Sequence, residues 1–163
     1  IYKAEEINTH GGSLRIYVSK NLNKKVDKSV SKLLRIEENY GIKKFSTYKT
    51  FADKILKIKK NVLNNLKILK NKSNSVIGYG APAKATTALN FFGISEEIDF
   101  IVEDNKLKHN KYVPGVNIPI YSKNKIKNNK SPILVLAWNF YSEIKKNNKN
   151  LTNKFINIKS LEN

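Results

Sequence analysis

The chain has 163 residues, of which 40% are hydrophobic, enough for one domain with a core or for one domain plus an appendage. Because no apolar run reaches the ~20 residues of a membrane-spanning helix, and because cysteine is absent, we expect no membrane partner, no disulfides and a cytoplasmic location. The formal net charge of +18 suggests nucleic acid, but only Arg15 and Arg35 carry the guanidinium groups that favour phosphate and base recognition, so no nucleic-acid partner is expected.

The first 22 residues are predicted to form two β-strands around a tight corner. Apolar and polar side chains alternate in the second strand, from Leu14 to Val18. His10 and Arg15 flank a glycine pair in "THGGSLR", which is either a cluster of polar groups around one ligand or an ordinary exposed corner. A lone hairpin is marginally stable in water, so we expect it to pair with strands of a missing N-terminal segment or with a neighbouring chain.

Two helices are predicted between residues 23 and 72. The first runs from Val26 to Tyr40, and Gly41 is well placed to end it. The second runs from Thr47 to about Asn71, because apolar side chains recur there at intervals of three and four residues. Its lysines fall mostly off the apolar stripe, so we expect them to face solvent.

Short strands and helices alternate over residues 73–163. This pattern predicts an α/β fold, a Rossmann-like three-layer domain with a mostly parallel sheet, preceded by the hairpin and the two helices. The lysine- and asparagine-rich tract from Lys123 to Lys130 is predicted to be a solvent-facing connection. The predicted strands are Val76–Tyr79, Asp99–Glu103, Ile118–Tyr121, Ile133–Leu136 and Phe155–Ile158, and the predicted helices are Ala83–Phe92 and Phe140–Lys146.

The stretch "GYGAPAKA" fits the dinucleotide fingerprint G-x-G-x-x-A at Gly78, Gly80 and Ala83. Glu103 follows the next strand, near the position of a ribose-binding acid. Lys84 lies in the first helical turn, where a cation opposes the helix dipole and indicates a nearby anion. The same small residues also suit a tight turn that binds nothing, so both interpretations stand.

A second candidate loop, "LAWNFYSEI", places Trp138 and Asn139 directly after a buried strand. Open parallel sheets bind ligands at that position, although Trp138 equally suits packing at the sheet edge. His109 lies in the stretch from Asn105 to Gly115, which is predicted to be a surface loop, far along the chain from His10. Because the two histidines are far apart and there is no cysteine, no metal site is predicted in this chain.

Four segments occur in the order found in S-adenosylmethionine-dependent sugar C-methyltransferases, which act on nucleotide-linked keto-deoxysugars: "THGGSLRIYV", "GYGAPAKATTALNFFGI", "FIVEDNKLKHNKYVPGVNIPI" and "ILVLAWNF". The chain resembles this family over nearly its whole length. The family has an N-terminal zinc-binding domain, a central methyltransferase domain and a C-terminal Rossmann-like domain. The resemblance implies closing strands of the central domain in 1–22, connecting helices in 23–72 and the C-terminal domain in 73–163.

The chain starts at Ile1 and lacks methionine, so we expect a fragment whose parent binds S-adenosylmethionine and zinc upstream, where the family also has its catalytic residues. The fragment is then inactive alone, and its expected partners are a nucleotide-linked sugar and the rest of its own chain, with an oligomer left open. The alternatives are a free-standing NAD or nucleotide-binding Rossmann module and a nonspecific nucleic-acid binder. The predicted substrate-binding residues are Gly78, Tyr79, Gly80, Lys84, Trp138, Asn139, His10 and Arg15.

Overall fold

The computed structural model describes residues 1–126 and 129–163, and it divides into two compact units, Ile1–Lys54 and Ile55–Asn163. The division predicted from the sequence, with closing strands in 1–22, connecting helices in 23–72 and a C-terminal domain in 73–163, stays a prediction. Among the described residues, no helix is both long enough and apolar enough to cross a bilayer.

The first unit contains the predicted hairpin and first helix. Strands β1 (Lys3–Ile7) and β2 (Ser13–Tyr17) pair antiparallel. Helix α1 (Lys28–Tyr40) begins after Asp27, whose carboxylate accepts the Ser29 amide, and ends at Gly41 in the left-handed conformation. The Ala4 amide donates to the Ser29 hydroxyl over 3.1 Å, which ties α1 to the hairpin. Helix α2 (Phe45–Ser73) begins in this unit and continues into the second.

The second unit is built around a six-stranded sheet in the order β5-β6-β4-β3-β7-β8. All neighbouring strands run parallel except β5, which is antiparallel to β6. The predicted α/β fold with a mostly parallel sheet is confirmed. The elements are β3 (Ile77–Tyr79), α3 (Ala83–Phe92), β4 (Phe100–Val102), β5 (Lys111–Tyr112), β6 (Pro119–Tyr121), β7 (Ile133–Val135), α4 (Tyr141–Asn147) and β8 (Phe155–Asn157).

Each face of the sheet is covered by helices. On one face, Val62 and Leu66 of α2 pack with Leu89 of α3 in one apolar cluster. On the other face, Ile144 of α4 packs against a second cluster that contains Tyr79. Side chains of successive strand residues point to opposite faces, which is why both clusters draw on the same short strands.

Two sequence predictions between β4 and β7 need correction. The segment around His109 is predicted to be a surface loop, but it includes β5, a strand too short to produce a periodic signal. Within the tract predicted to face solvent, Ile126 is buried at the end of a short 3₁₀ helix, Lys123–Ile126. Lys127 and Asn128 of that tract lie outside the described residues.

The strand order creates a switch point between β3 and β7. From β3 the chain builds outward through β4 and β6, and it then returns to the opposite side of β3 to form β7 and β8. In open α/β sheets, ligands bind at the carboxyl ends of the strands where the order reverses. A ligand site is therefore expected at the loops that follow β3, β4 and β7.

Candidate substrate site at the strand switch point

A cleft of about 470 Å³ opens at the carboxyl ends of these three strands, and we call it the switch-point cleft. It contains both acidic and basic side chains, with an aromatic ring at one wall. Its lining residues are Tyr79, Gly80, Pro82, Glu103, Asp104, Asn105, Lys108, Lys123, Ala137, Phe140, Glu143, Ile144, Asn147 and Asn148.

The two glycines of the predicted fingerprint are required by packing. A Cβ on Gly78 would lie 2.6 Å from Ile101 Cγ1 on the neighbouring strand. Gly80 has a φ of +87°, and a Cβ there would lie 2.9 Å from the Cβ of Ala137, which follows β7. Neither glycine therefore needs a bound phosphate to explain it.

Glu103 bonds the glycine turn directly. Its Oε2 accepts the Ala81 amide over 2.8 Å, and its Oε1 accepts the Asn105 amide over 3.0 Å. Lys108 Nζ donates to the Ala81 carbonyl over 2.8 Å and lies 3.7 Å from Glu103 Oε2. His109 Nε2 lies 2.7 Å from the Glu103 carbonyl oxygen.

This arrangement does not fit a dinucleotide at the turn. In a dinucleotide-binding domain the turn amides hold the pyrophosphate, and the acid after the second strand holds ribose hydroxyls. Here the Glu103 carboxylate is itself the anion at the Ala81 amide, so the amide and the acid satisfy each other.

Tyr79 forms the floor of the cleft and is only 2% exposed. Its hydroxyl donates to Asp104 Oδ2 over 3.0 Å and accepts a bond of 3.3 Å from Asn148 Nδ2. Asp104 also pairs with Lys123 Nζ at 2.9 Å, and that hydrogen bond raises the pKa of Lys123. Burial raises the pKa of the Tyr79 hydroxyl, so at neutral pH the hydroxyl is a protonated, fixed donor.

Helix α4 supplies polar groups that the sequence analysis missed. Glu143 and Asn147 line the cleft one helical turn apart. Within residues 1–126 and 129–163, no side chain pairs with the Glu143 carboxylate or the Asn147 amide. The sequence could have indicated both residues by their position on the helix that follows β7, at the carboxyl edge of the sheet.

Lys84 and Trp138, both predicted as site residues, meet at the switch point. Lys84 Nζ lies 4.4 Å from the centre of the Trp138 ring and 5.9 Å from that of Phe140. Burial and the nearby Lys159 ammonium lower the pKa of Lys84. Asn139, which separates the two aromatic residues in the chain, is exposed. Trp138 also packs partly against the core, so it takes part in sheet packing as well.

Two comparisons with known proteins bear on the family of this chain. A family model described as "C-methyltransferase C-terminal domain" matches residues 8–158. The chain belongs to this family. It is also similar to C-methyltransferase NovU of Streptomyces niveus, with 31% identity over 143 residues, which is 86% of this chain and 34% of the relative. The chain thus spans about a third of the length of that curated relative, and the predicted family is confirmed.

His10 and Arg15 of this C-methyltransferase C-terminal domain lie in the hairpin of the first unit. Arg15 Nη1 is 3.1 Å from Glu5 Oε1 on the opposite strand, and the Tyr17 hydroxyl donates to the same oxygen over 2.6 Å. The bond from Tyr17, followed by those from Lys3 and Arg15, lowers the pKa of Glu5. His10 has a φ of 53° in the short 3₁₀ turn at the corner. The guanidinium is therefore engaged within the hairpin, and a ligand-binding role for either residue stays a prediction.

Metal binding finds no support in the described part of this domain. Among residues 1–126 and 129–163, no group of three or more histidine, aspartate or glutamate side chains is placed to hold an ion. The zinc that the resemblance implies is not supported by any described residue of this chain.

Proposed function

We propose that this chain is the C-terminal part of a longer S-adenosylmethionine-dependent C-methyltransferase that acts on a nucleotide-linked keto sugar. Family membership supports a methyltransferase role. The relative NovU is called a C-methyltransferase and is about three times as long as the matched region. S-adenosylmethionine is the methyl donor that such a family implies, and we propose that the rest of the longer protein binds it, in the cytoplasm.

The proposed substrate is inferred from the side chains of the switch-point cleft. A sugar presents hydroxyl groups that both donate and accept hydrogen bonds, together with an apolar ring face. Beside the Phe140 ring, the cleft offers two polar groups that pair with no described side chain, the Glu143 carboxylate and the Asn147 amide. A few placed polar groups next to an aromatic wall are typical of small-molecule sites.

The cleft is proposed to bind and orient the sugar without performing the chemistry. Methylation next to a ketone requires a base that removes the neighbouring proton. Tyr79 is unsuited to that task because burial keeps its hydroxyl protonated, and because that hydroxyl already donates its hydrogen bond to Asp104. We therefore expect no methyl transfer by this chain alone, and we propose that the remaining part of the protein supplies the base.

Titration calorimetry with a thymidine diphosphate-linked keto sugar tests the cleft. Glu143→Ala removes an acceptor for a sugar hydroxyl, and we expect about fivefold weaker binding, which corresponds to one hydrogen bond of ~1 kcal/mol. Glu96→Ala is the matched control, because Glu96 lies outside the cleft as an exposed carboxylate that pairs with no described residue. Equal affinities for the two variants would contradict the assignment.

The upstream sequence tests the other part of the proposal. The gene region before the Ile1 codon should encode a glycine-rich S-adenosylmethionine loop, and the longer protein should transfer a methyl group to the keto sugar. A stop codon directly upstream would overturn the proposal, and so would methyl transfer by this chain alone.

A free-standing NAD-binding module is the alternative that the cleft geometry disfavours. The turn amide of Ala81 and the acid Glu103 are bonded to each other, so neither is available for the pyrophosphate or the ribose. The nonspecific nucleic-acid alternative has no feature in its favour among the described residues beyond the scattered lysines, and we do not propose it.

A further inference from the structure

The switch-point cleft is acidic within a strongly basic protein. The chain has 31 lysine and arginine residues against 13 acidic ones, yet three carboxylates line this cleft beside two lysines. Glu103 pairs with Lys108 at 3.7 Å, and Asp104 pairs with Lys123 at 2.9 Å. The third carboxylate, Glu143, pairs with no side chain in the described part of the chain. The cleft therefore holds one negative charge that no cation of the cleft balances.

Asn148 adds a second acceptor to the cleft. It is only 5% exposed and lines the cleft. Its amide nitrogen is engaged, because it donates to the Ile144 carbonyl over 2.7 Å and to the Tyr79 hydroxyl over 3.3 Å. Its carbonyl oxygen accepts no hydrogen bond from residues 1–126 or 129–163. Because no described side-chain polar atom is both fully buried and unpaired, this oxygen opens into the cleft.

The two acceptors suit a ligand group that only donates. An ionised carboxylate and an amide oxygen accept hydrogen bonds and cannot donate them, whereas an ammonium has three donors and no acceptor. A sugar hydroxyl has one hydrogen to donate, so it leaves one of the two acceptors without a donor. The half-exposed Phe140 ring lines the same cleft, and an aromatic face attracts a cation. A protonated amine satisfies all three groups.

We propose that Glu143 and Asn148 select a sugar that carries a protonated amino group. The ammonium donates to both acceptors and balances the Glu143 charge, so the preferred ligand is an amino-deoxysugar. The first turn of α4 suits an acid such as Glu143, but that preference does not account for the buried Asn148 oxygen that opens into the same cleft. The two residues determine specificity and take no part in methyl transfer. The identity of the rest of the ligand rests on the proposed function.

Titration calorimetry with two thymidine diphosphate-linked keto sugars tests the selection. The two probes differ in one group, which is a hydroxyl in the first and an amino group in the second. We expect about tenfold tighter binding of the amino sugar at neutral pH, because a charge-assisted hydrogen bond is about twice as strong as a neutral one. The net charge of +18 disfavours an added cation elsewhere on the protein. Equal affinities, or tighter binding of the hydroxyl sugar, would overturn the inference.

Glu143→Gln keeps the size of the side chain and an acceptor oxygen but removes the charge. It should reduce the preference for the amino sugar to less than about twofold. Glu96→Gln is the matched control, because it makes the same change at an exposed carboxylate outside the cleft, and it should keep the full preference. A preference that survives Glu143→Gln, or that Glu96→Gln reduces equally, would show that Glu143 does not bind the ammonium.

Phe140→Leu provides an independent result. The side chain is 54% exposed, so we expect the variant to fold. Loss of the ring should lower the preference for the amino sugar about threefold and leave the affinity for the hydroxyl sugar less affected. An equal loss of affinity for both sugars would assign the ring to apolar packing alone and remove it from the ammonium site.

The calorimetry also separates the amino-sugar selection from the proposed function. If neither sugar nucleotide binds, the proposed function fails and the selection fails with it. If both bind with equal affinity, the proposed function stands and only the selection by Glu143 and Asn148 is overturned.

Discussion

The Glu103 carboxylate accepts the backbone amide of Ala81 over 2.8 Å, so a side chain of the β4 end occupies the anion position of the glycine turn after β3. The same carboxylate accepts the Asn105 amide. A feature that appears in the sequence as half of a dinucleotide site is thus a link between two loops of the C-methyltransferase C-terminal domain.

Removing this link should destabilise the protein. Glu103→Ala leaves the Ala81 and Asn105 amides without their acceptor, and we expect a loss of about 1–3 kcal/mol in the free energy of unfolding, measured by urea denaturation. Glu96→Ala, at an exposed carboxylate with no partner among the described residues, should change it by less than about 0.5 kcal/mol. An unchanged midpoint for Glu103→Ala would mean that the carboxylate does not bond the turn.

Asp99 makes stability depend on acid pH. Burial acts to raise its pKa, but the bonds from Lys70, from the Val76 amide and from the Ser75 hydroxyl outweigh burial and hold the pKa below its ordinary 3.8. A lowered pKa stabilises the folded protein above pH 3.8, and the contribution is lost as the pH falls through the folded value.

We therefore expect Asp99→Ala to lose about 1–2 kcal/mol at neutral pH, measured by thermal or urea unfolding. The difference in unfolding free energy between wild type and variant should shrink below pH 3.8, because the Asp99 carboxyl of the wild type then becomes protonated and loses its charge. A difference that stays constant across this range would show that the charge of Asp99 is not what stabilises the fold.

Tyr79 makes stability depend on alkaline pH, with the opposite sign. Its folded pKa is raised above the ordinary 10.0, chiefly by burial. The neutral hydroxyl contributes fully below pH 10.0, and its contribution is lost as the pH rises toward the folded value.

Tyr79→Phe should thus cost about 0.5–1.5 kcal/mol at neutral pH. Urea unfolding above pH 10.0 should show wild type losing this advantage over the variant. Tyr112→Phe, which removes the hydroxyl of an exposed tyrosine, should track wild type throughout. If Tyr79→Phe also tracked wild type, the hydrogen bonds of the Tyr79 hydroxyl to Asp104 and Asn148 would not contribute to the free energy of unfolding.

The sequence predicted the fold well because its strong signals are local. Gly80 with its positive φ, the start of α3 at Ala83 and the end of α1 at Gly41 each follow from the conformational needs of one or two residues. The two-residue strand β5 was missed because it depends on pairing with β6, and a pairing partner leaves no periodic pattern in so short a segment.

The candidate site was only partly accessible from the sequence. Lys84 and Trp138 are predicted as site residues because each breaks or marks a local rule, and that role stays a prediction. The contact of the Lys84 ammonium with the Trp138 ring follows from the adjacency of β3 and β7. The hydrogen bond from Ala81 to Glu103 joins residues on separate loops. Its geometry depends on the side-chain rotamer, so spacing alone could not distinguish a ribose-binding acid from a structural one.

The central claim is that the carboxyl edge of β3 and β7 binds a nucleotide-linked sugar, and amide chemical-shift mapping by NMR tests it most directly. A thymidine diphosphate-linked sugar should give saturable shifts concentrated at residues 79–84 and 138–141, while NAD leaves the same amides unchanged. Saturable shifts with NAD at micromolar affinity would contradict the claim, as would a sugar nucleotide whose shifts are spread evenly over the lysine-rich surface.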